Sequence, residues 1–286
     1  MIGIGNMFSF QGKTAWLATN HKKEEIIGPI LISGLELTVR KISDFDSDAL
    51  GTFSGDVERP GNQLETAQLK IGLAKKKLPE EDLFISSEGA FFPNPEMPVL
   101  TRNLELILLK SISDHIEIKG TFSETGFPLW ESAVSSEKDL NPYLFKRDFQ
   151  NEGLILKTFS ANKWVVFKDF NKSEEILAAF FEISKFKSNI ILSPDLRAHR
   201  NELRRKNIGK AAENLVRNAL STCPSCGTPG FCITEIIKGL PCNWCEMPTR
   251  LPKAEVWNCQ SCHYKMTTPL DNPESADPGF CDFCNP

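Results

Sequence analysis

The 286-residue sequence predicts a mixed α/β fold followed by a basic helix and a small domain built on two zinc ribbons. Three observations lead there. Strand-like and helix-like segments alternate from Thr14 to about Ile190. The stretch from Asp195 to Arg217 holds seven Lys/Arg against three Asp/Glu. All nine cysteines lie after residue 220, eight of them in CxxC pairs, so composition itself changes along the chain. The boundaries read from these shifts are an α/β domain over 1–190, a basic helical linker over 191–220 and a zinc-binding domain over 221–286.

The elements of the first part follow from periodicity. "KTAWLAT" is an apolar run of strand length, and "KKEEIIGPILISG" has helical spacing and ends near Gly34. "ELTVRKI" reads as a second strand. "GNQLETAQLKIGLAKKKL" reads as a helix with Leu64, Ala67, Leu69, Leu73 and Ala74 near one stripe. Strands follow in "DLFISSEGAF", "NLELILLKSI", "HIEIKGTF", "GLILKTF" and "KWVVFKDF", then a helix in "SEEILAAFFEIS". A βαβ order at the start and a strand-rich middle predict a sheet that is partly parallel and partly antiparallel. "SPDLRAHRNELRRKNIGKAAENLVRNAL" is expected to form one long helix capped by Ser193 or Asp195, its basic face either solvated or in contact with phosphates.

The cysteines carry the strongest motif. Pairs stand at Cys223/Cys226, Cys242/Cys245, Cys259/Cys262 and Cys281/Cys284, separated by 15, 13 and 18 residues. Two thiolates two residues apart can bend round a knuckle onto one tetrahedral Zn²⁺, and two knuckles close a site, so eight cysteines imply two structural zinc ions. Disulfides suit a small secreted domain, whereas this chain carries a large cysteine-free region. Sequential, nested and cross-braced pairings all satisfy the spacing. Cys232 stands outside the pairs, and His263, next to Cys262, is a reserve ligand that eight cysteines make unnecessary.

A net charge of −4 argues against a surface that coats nucleic acid generally, so any such role needs a local patch. The apolar runs, such as "ILAAFF" and "WVVF", are far shorter than a membrane span, and the expected location is cytoplasmic.

Small and charged residues gather at three corners: "ATNHKK" (Ala18 to Lys23), "SGDVERPGNQLETAQLK" (Ser54 to Lys70) and "SSEGAF" (Ser86 to Phe91). Ligands of open α/β sheets collect outside the carboxyl ends of strands, so the three can converge on one cleft. These stretches resemble the inosine/xanthosine triphosphate pyrophosphatase superfamily over about residues 14 to 92. "ATNHKK" resembles its ATxNxxK opening, "ETAQLK" its ENAxxKA helix, and "SSEGAF" its acidic-Gly strand end, while "SGDVERP" followed by "ET" is similar to its xanthosine-triphosphatase-like branch. The resemblance implies a nucleotide-pyrophosphatase-like fold and an Mg²⁺-dependent enzyme. Thr19, Asn20, Lys23 and Lys70 would hold phosphate, and Glu88 and Glu65 would carry Mg²⁺ and catalysis, with Asp56 and Glu58 as further acids. His199 and Arg200 match a base-recognising His-Arg. Where the superfamily has two adjacent aspartates, this chain has Ser87 and Glu88.

Over nearly its full length, through "DSDALGTFSGDVERPG", "SEGAFFPNPEMP", "GLPCNWC", "VWNC" and "CDFCNP", the chain also resembles an uncharacterised bacterial family of unknown function. Two functions are therefore expected. One is a nucleoside triphosphate pyrophosphohydrolase-like enzyme acting on a nucleotide or related phosphate. The other is a non-catalytic zinc-ribbon protein whose basic helix and ribbons contact nucleic acid or a protein partner.

Overall fold

A computed structural model of the chain describes residues 8–19, 22–45, 61–186, 188–270 and 274–286. The chain divides into two units. One comprises Phe10–Ser113 and Lys119–Val216; the other comprises Arg217–Pro286 with Asp114–Ile118 and the segment ending at Ser9.

The first unit is mixed α/β. Strand β1 (Thr14–Ala18) leads into helix α1 (Glu24–Leu35) and strand β2 (Thr38–Lys41); helix α2 (Gln63–Lys77) then leads into β3 (Leu83–Pro93). β1 pairs in parallel with both β2 and β3, while β4 (Thr101–Ser111) runs antiparallel to β3 and is followed by β5 (Ile116–Thr125). Among the described residues this makes a five-stranded mixed sheet in the order β2-β1-β3-β4-β5. Central strands that are covered on both sides are apolar at nearly every position: Leu106 to Leu109 of β4 are buried without alternation.

α2 buries Thr66, Ala67, Lys70, Ile71 and Ala74 against β3 and β4, while Leu69 and Leu73 are exposed. The expected stripe is therefore rotated. Positions 67, 71 and 74 form the inner row, and Lys70 lies beside it. The helix begins at a capping box: Asn62 Oδ1 accepts from the Glu65 amide at 3.0 Å, and Glu65 Oε2 accepts from the Asn62 amide at 2.9 Å.

A four-stranded sheet is built from β6 (Ser132–Val134), β7 (Leu154–Ser160), β8 (Lys163–Phe167) and β9 (Ile190–Pro194) in the order β6-β9-β7-β8. β7 and β8 are joined at Ala161 and Asn162, both at positive φ, as a tight hairpin with right-handed strand twist requires. α3 (Glu137–Leu144) and α4 (Ser173–Ser184) cover this sheet through Leu140, Ile176, Phe180 and Ile183. The start of α3, Ser136 with Asp139 three residues on, is a capping box that sequence reading passed over.

The expected long helix from Ser193 is corrected. Ile190–Pro194 is a strand, Ala198–Arg200 is a single 3₁₀ turn, and α5 spans Glu202–Leu220. Asp195 is not a helix cap, because its carboxylate takes the Arg197 amide and guanidinium instead. Asn201 is the residue whose side chain accepts from the Arg204 amide, at 2.9 Å. α5 lies tightly on its neighbours. A Cβ at Gly34 of α1 would stand 2.6 Å from Val216 Cγ1, and one at Gly120 of β5 would stand 2.5 Å from Leu215.

The second unit carries a three-stranded antiparallel sheet, β10 (Cys232–Lys238), β11 (Pro252–Asn258) and β12 (Lys265–Pro269). Its small core is Cys223, Phe231 and Cys259 with Trp257 packed on them. The Glu117 amide donates to Gln260 Oε1 at 2.8 Å. A core this small does not hold a chain by itself, so the cysteines must do so.

Candidate functional site

Two sites emerge, one in each unit. In the first, β1 stops at Ala18, opposite Ser86 of β3, while β3 runs on with β4 as far as Pro93. The corner expected at the end of "SSEGAF" is thus the end of β1, with Glu88 inside β3. Side chains alternate along β3, so Ser86 and Glu88 face one side and Ser87 and Gly89 the other. On the first side Ser86 Oγ donates to the Ala67 carbonyl at 2.8 Å, and Lys70 Nζ of α2 meets Glu88 Oε1 at 2.5 Å. On the second, Lys23 Nζ at the head of α1 donates to Ser87 Oγ at 3.2 Å and to the Ser87 carbonyl at 3.3 Å. There too, Arg204 Nε of α5 donates to Glu105 Oε1 at 2.8 Å.

Thr19, Lys23, Lys70, Glu88, Glu105 and Arg204 are all buried. The lysines come from opposite faces of β3, and the charge of Lys70 reaches Lys23. Among the described residues three cations thus face two carboxylates, and Lys23 is the one whose described hydrogen bonds end on serine. Its pKa falls from 10.5 to about 7, first through burial and next through the charge of Arg204; Lys70 adds to the fall, while Glu105 and Glu88 oppose it. Lys22, by contrast, is exposed at φ 56°. Only the second lysine belongs to the site.

Other residues singled out in the sequence lie elsewhere. Glu65 is exposed, and its carboxylate is engaged in the α2 cap. His199 and Arg200 sit in the 3₁₀ turn, where His199 Nε2 lies 3.9 Å and Arg200 Nη2 3.7 Å from Asp169 Oδ1; Arg200 Nη1 also donates to Asn171 Oδ1 at 3.0 Å. Arg197 bridges Asp195 and Asp169 there. Asn20, Asp56 and Glu58 lie outside the described residues. Glu105, which the sequence does not single out, and Arg204, read there only as one cation of the basic helix and here fully buried, are the largest addition: an acid at an apolar strand position and an arginine among six other cations carry no local signal.

Among the described residues the donors here do not suit Mg²⁺. Glu88 and Glu105 are each bound to a cation, and among the described residues no group of three or more acid or imidazole ligands converges outside the cysteines.

The second site is the pair of cysteine quartets. Cys223, Cys226, Cys259 and Cys262 form one, and Cys242, Cys245, Cys281 and Cys284 the other, so the pairing is interleaved, first with third and second with fourth. Sulfur separations are 3.7 Å for Cys223–Cys262, 3.6 Å for Cys226–Cys259, 3.9 Å for Cys242–Cys284 and 3.6 Å for Cys245–Cys281. Four Zn–S bonds of about 2.3 Å at tetrahedral angles put sulfurs about 3.8 Å apart, so both quartets are compatible with zinc.

Each knuckle is closed by the same bond, from the amide one residue past its second cysteine, four on from the first. Gly227 donates to Cys223, Glu246 to Cys242, His263 to Cys259 and Asn285 to Cys281, at 2.8 to 3.1 Å. Gly227, Glu246 and His263 adopt positive φ there, so His263 is a turn residue outside the quartet. Cys284 is pushed up to about 12, chiefly by Cys245 beside it, and four thiolates so close repel unless a dication neutralises them.

The family model described as "Domain of unknown function (DUF6671)" matches residues 72–286, and the chain belongs to that family. No curated protein matches the chain. Among the described residues no helix is long and apolar enough to cross a membrane.

Proposed function

We propose that this DUF6671 chain is a phosphohydrolase-type enzyme that takes a phosphate-bearing small molecule of the nucleotide class at the end of β1. The observation that carries the reading is the cation excess of that buried cluster. A lysine buried without a carboxylate of its own is held partly neutral, and an anionic ligand reverses that penalty.

In this reading phosphate oxygens accept from Lys23 and Lys70. Drawing Lys70 onto the phosphate loosens its hold on Glu88, whose carboxylate accepts a proton from the attacking water as the new P–O bond forms and the bond to the leaving phosphate breaks. No step is routed through Mg²⁺. The zinc-bearing unit is the structural or recruiting part.

The test uses the full chain with a panel of nucleoside triphosphates, with and without Mg²⁺, measuring released phosphate and pyrophosphate. Glu88→Gln is expected to lower turnover about 10²-fold or more. No turnover by the unaltered chain rejects the enzyme, and turnover indifferent to Glu88→Gln rejects the site.

Pyrophosphate affinity, read by calorimetry, carries a sign. Lys23 binds the anion as an ammonium, and its pKa in the free protein is lowered to about 7. Affinity therefore falls as pH rises above 7 and Lys23 loses its proton, by up to about tenfold per unit, with proton uptake on binding. Lys23→Met weakens binding and flattens this profile; an unchanged profile removes Lys23 from the site.

A further inference from the structure

The knuckles of the second quartet project large apolar side chains into solvent. Trp244, between Cys242 and Cys245, is 77% exposed, and Phe283, between Cys281 and Cys284, is 65% exposed. Each ring leaves the chain one residue before a cysteine, and the sulfurs of those two cysteines, Cys245 and Cys284, lie 3.3 Å apart. Phe280 and Met247 are exposed beside them in sequence. Exposed tryptophan and phenylalanine on a rigid, cross-linked turn are poor choices for a solvated surface and good ones for an interface. The first quartet differs in kind: its turns carry "CPSC" and "CQSC", with no aromatic between the cysteines.

Charge restricts what lies on this surface. From Ser221 onward the sequence has four Lys/Arg against seven Asp/Glu. Glu246, Glu274, Asp277 and Asp282 are exposed near the aromatic turns, and the one arginine nearby, Arg250, is tied to Asp282 at 3.2 Å. A zinc ion held by four thiolates adds two further negative charges under the aromatics. Nucleic acid is repelled by such a surface, since its binding depends on cations that neutralise phosphates.

We infer that the Trp244/Phe283 surface is a docking site for a basic segment of a partner protein, one apolar side chain of which seats against the two rings while its lysines or arginines meet the surrounding acids. The pairing supplies orientation through charge and affinity through the buried aromatics.

The probes are labelled peptides offered to the full, zinc-loaded chain: one with lysines and arginines around a central pair of leucines, one with every cation replaced by glutamate, and an oligothymidylate. The basic peptide is expected to bind about tenfold or more tighter than the acidic one, and binding weakens with salt. The double variant Trp244→Ala/Phe283→Ala loses about tenfold while keeping its zinc, which separates a lost contact from a lost fold. Glu246→Lys with Asp282→Lys is expected to reverse the preference between the peptides. Equal binding of the two peptides overturns the inference, as does binding unmoved by either double variant. Preferential binding of the oligothymidylate makes the surface a nucleic-acid site. A dimer in sedimentation that the aromatic variant dissociates makes it a self-association face.

Discussion

Serine at both Cys223 and Cys259 is expected to leave a chain that binds one zinc ion at full affinity, whereas serine at Cys223 and Cys242 leaves none held tightly. The first pair of substitutions empties one quartet and spares the other; the second breaks both. Sequential ribbons predict the reverse, so native mass spectrometry of the two double variants decides the pairing outright. The effect is large because the ligands are the core. Phe231 and Trp257 are the principal apolar neighbours of Cys223 and Cys259, and structural zinc in small ribbons contributes about 10–16 kcal/mol of apparent folding free energy near pH 7. Chelation is therefore expected to abolish the ordered state of both quartets. Re-addition of zinc restores it, as followed by the near-ultraviolet signal of Trp244 and Trp257. Acid does the same as chelation, since protons compete with the metal for the thiolates as pH falls.

Local ligand chemistry is legible in the sequence, and arrangements that depend on distant contacts are not. The CxxC pairs were plain because the ligand chemistry is local: the knuckle needs only two cysteines and a turn. Which knuckles share a metal was not, because it depends on how β10 to β12 bring distant turns together. Strands β3, β4, β5, β7 and β8 and helix α4 were read from apolar runs close to their observed limits. The misreading at Ser193–Arg200 has a physical cause. Asp195 is a good helix cap by type, but here its carboxylate is used by Arg197, and Ile190–Pro194 pairs with β6 and β7 instead of coiling. Likewise the outward Leu69 and Leu73 could not be told from inward residues, since both helix faces carry apolar groups and Lys70 takes an inner position that composition assigns to the surface.

The cap at Asn62 offers a smaller check on the same helix. Asn62→Ala removes the acceptor of the Glu65 amide and is expected to cost about 1 kcal/mol in chemical denaturation. Glu65→Gln retains a side-chain oxygen for the cap, so it should leave stability nearly unchanged. Turnover that falls with Glu65→Gln would return that residue to the catalytic set, from which its exposed position at the start of α2 separates it.

Arg204→Met is expected to be the most destabilising single change in the first unit, and the reason lies in what it strands. Glu105 and Arg204 are fully buried, and the carboxylate takes Arg204 Nε at 2.8 Å and Asn103 Nδ2 at 3.1 Å. Arg204 Nη1 also donates to the Leu196 carbonyl at 2.5 Å, and its guanidinium lies 5.8 Å from the Phe91 ring centre. Removing the cation leaves a buried carboxylate with the Asn103 amide as its described hydrogen-bond partner, a loss of about 3–5 kcal/mol. In a unit of this size that lowers Tm by roughly 2–4 °C per kcal/mol.

Arg204→Met with Glu105→Leu removes both charges and is expected to recover most of the loss, because two desolvation costs vanish together. Gly89 is the steric companion of the pair: its Cβ would stand 2.5 Å from Arg204 Nη2 and 2.6 Å from Glu105 Oε2, so Gly89→Ala forces them apart. The pair also acts on Lys23, since Arg204 is the second cause of its lowered pKa. Losing Arg204 alone therefore raises the Lys23 pKa, and pyrophosphate binding persists to higher pH in whatever fraction remains folded. Melting curves and a pH series of binding on the same three variants separate the two roles. Stability tracks whether Glu105 is left without its arginine, and the pH profile tracks the charge beside Lys23. If Arg204→Met melts like the unaltered chain, the buried pair is not what holds α5 to β3 and β4.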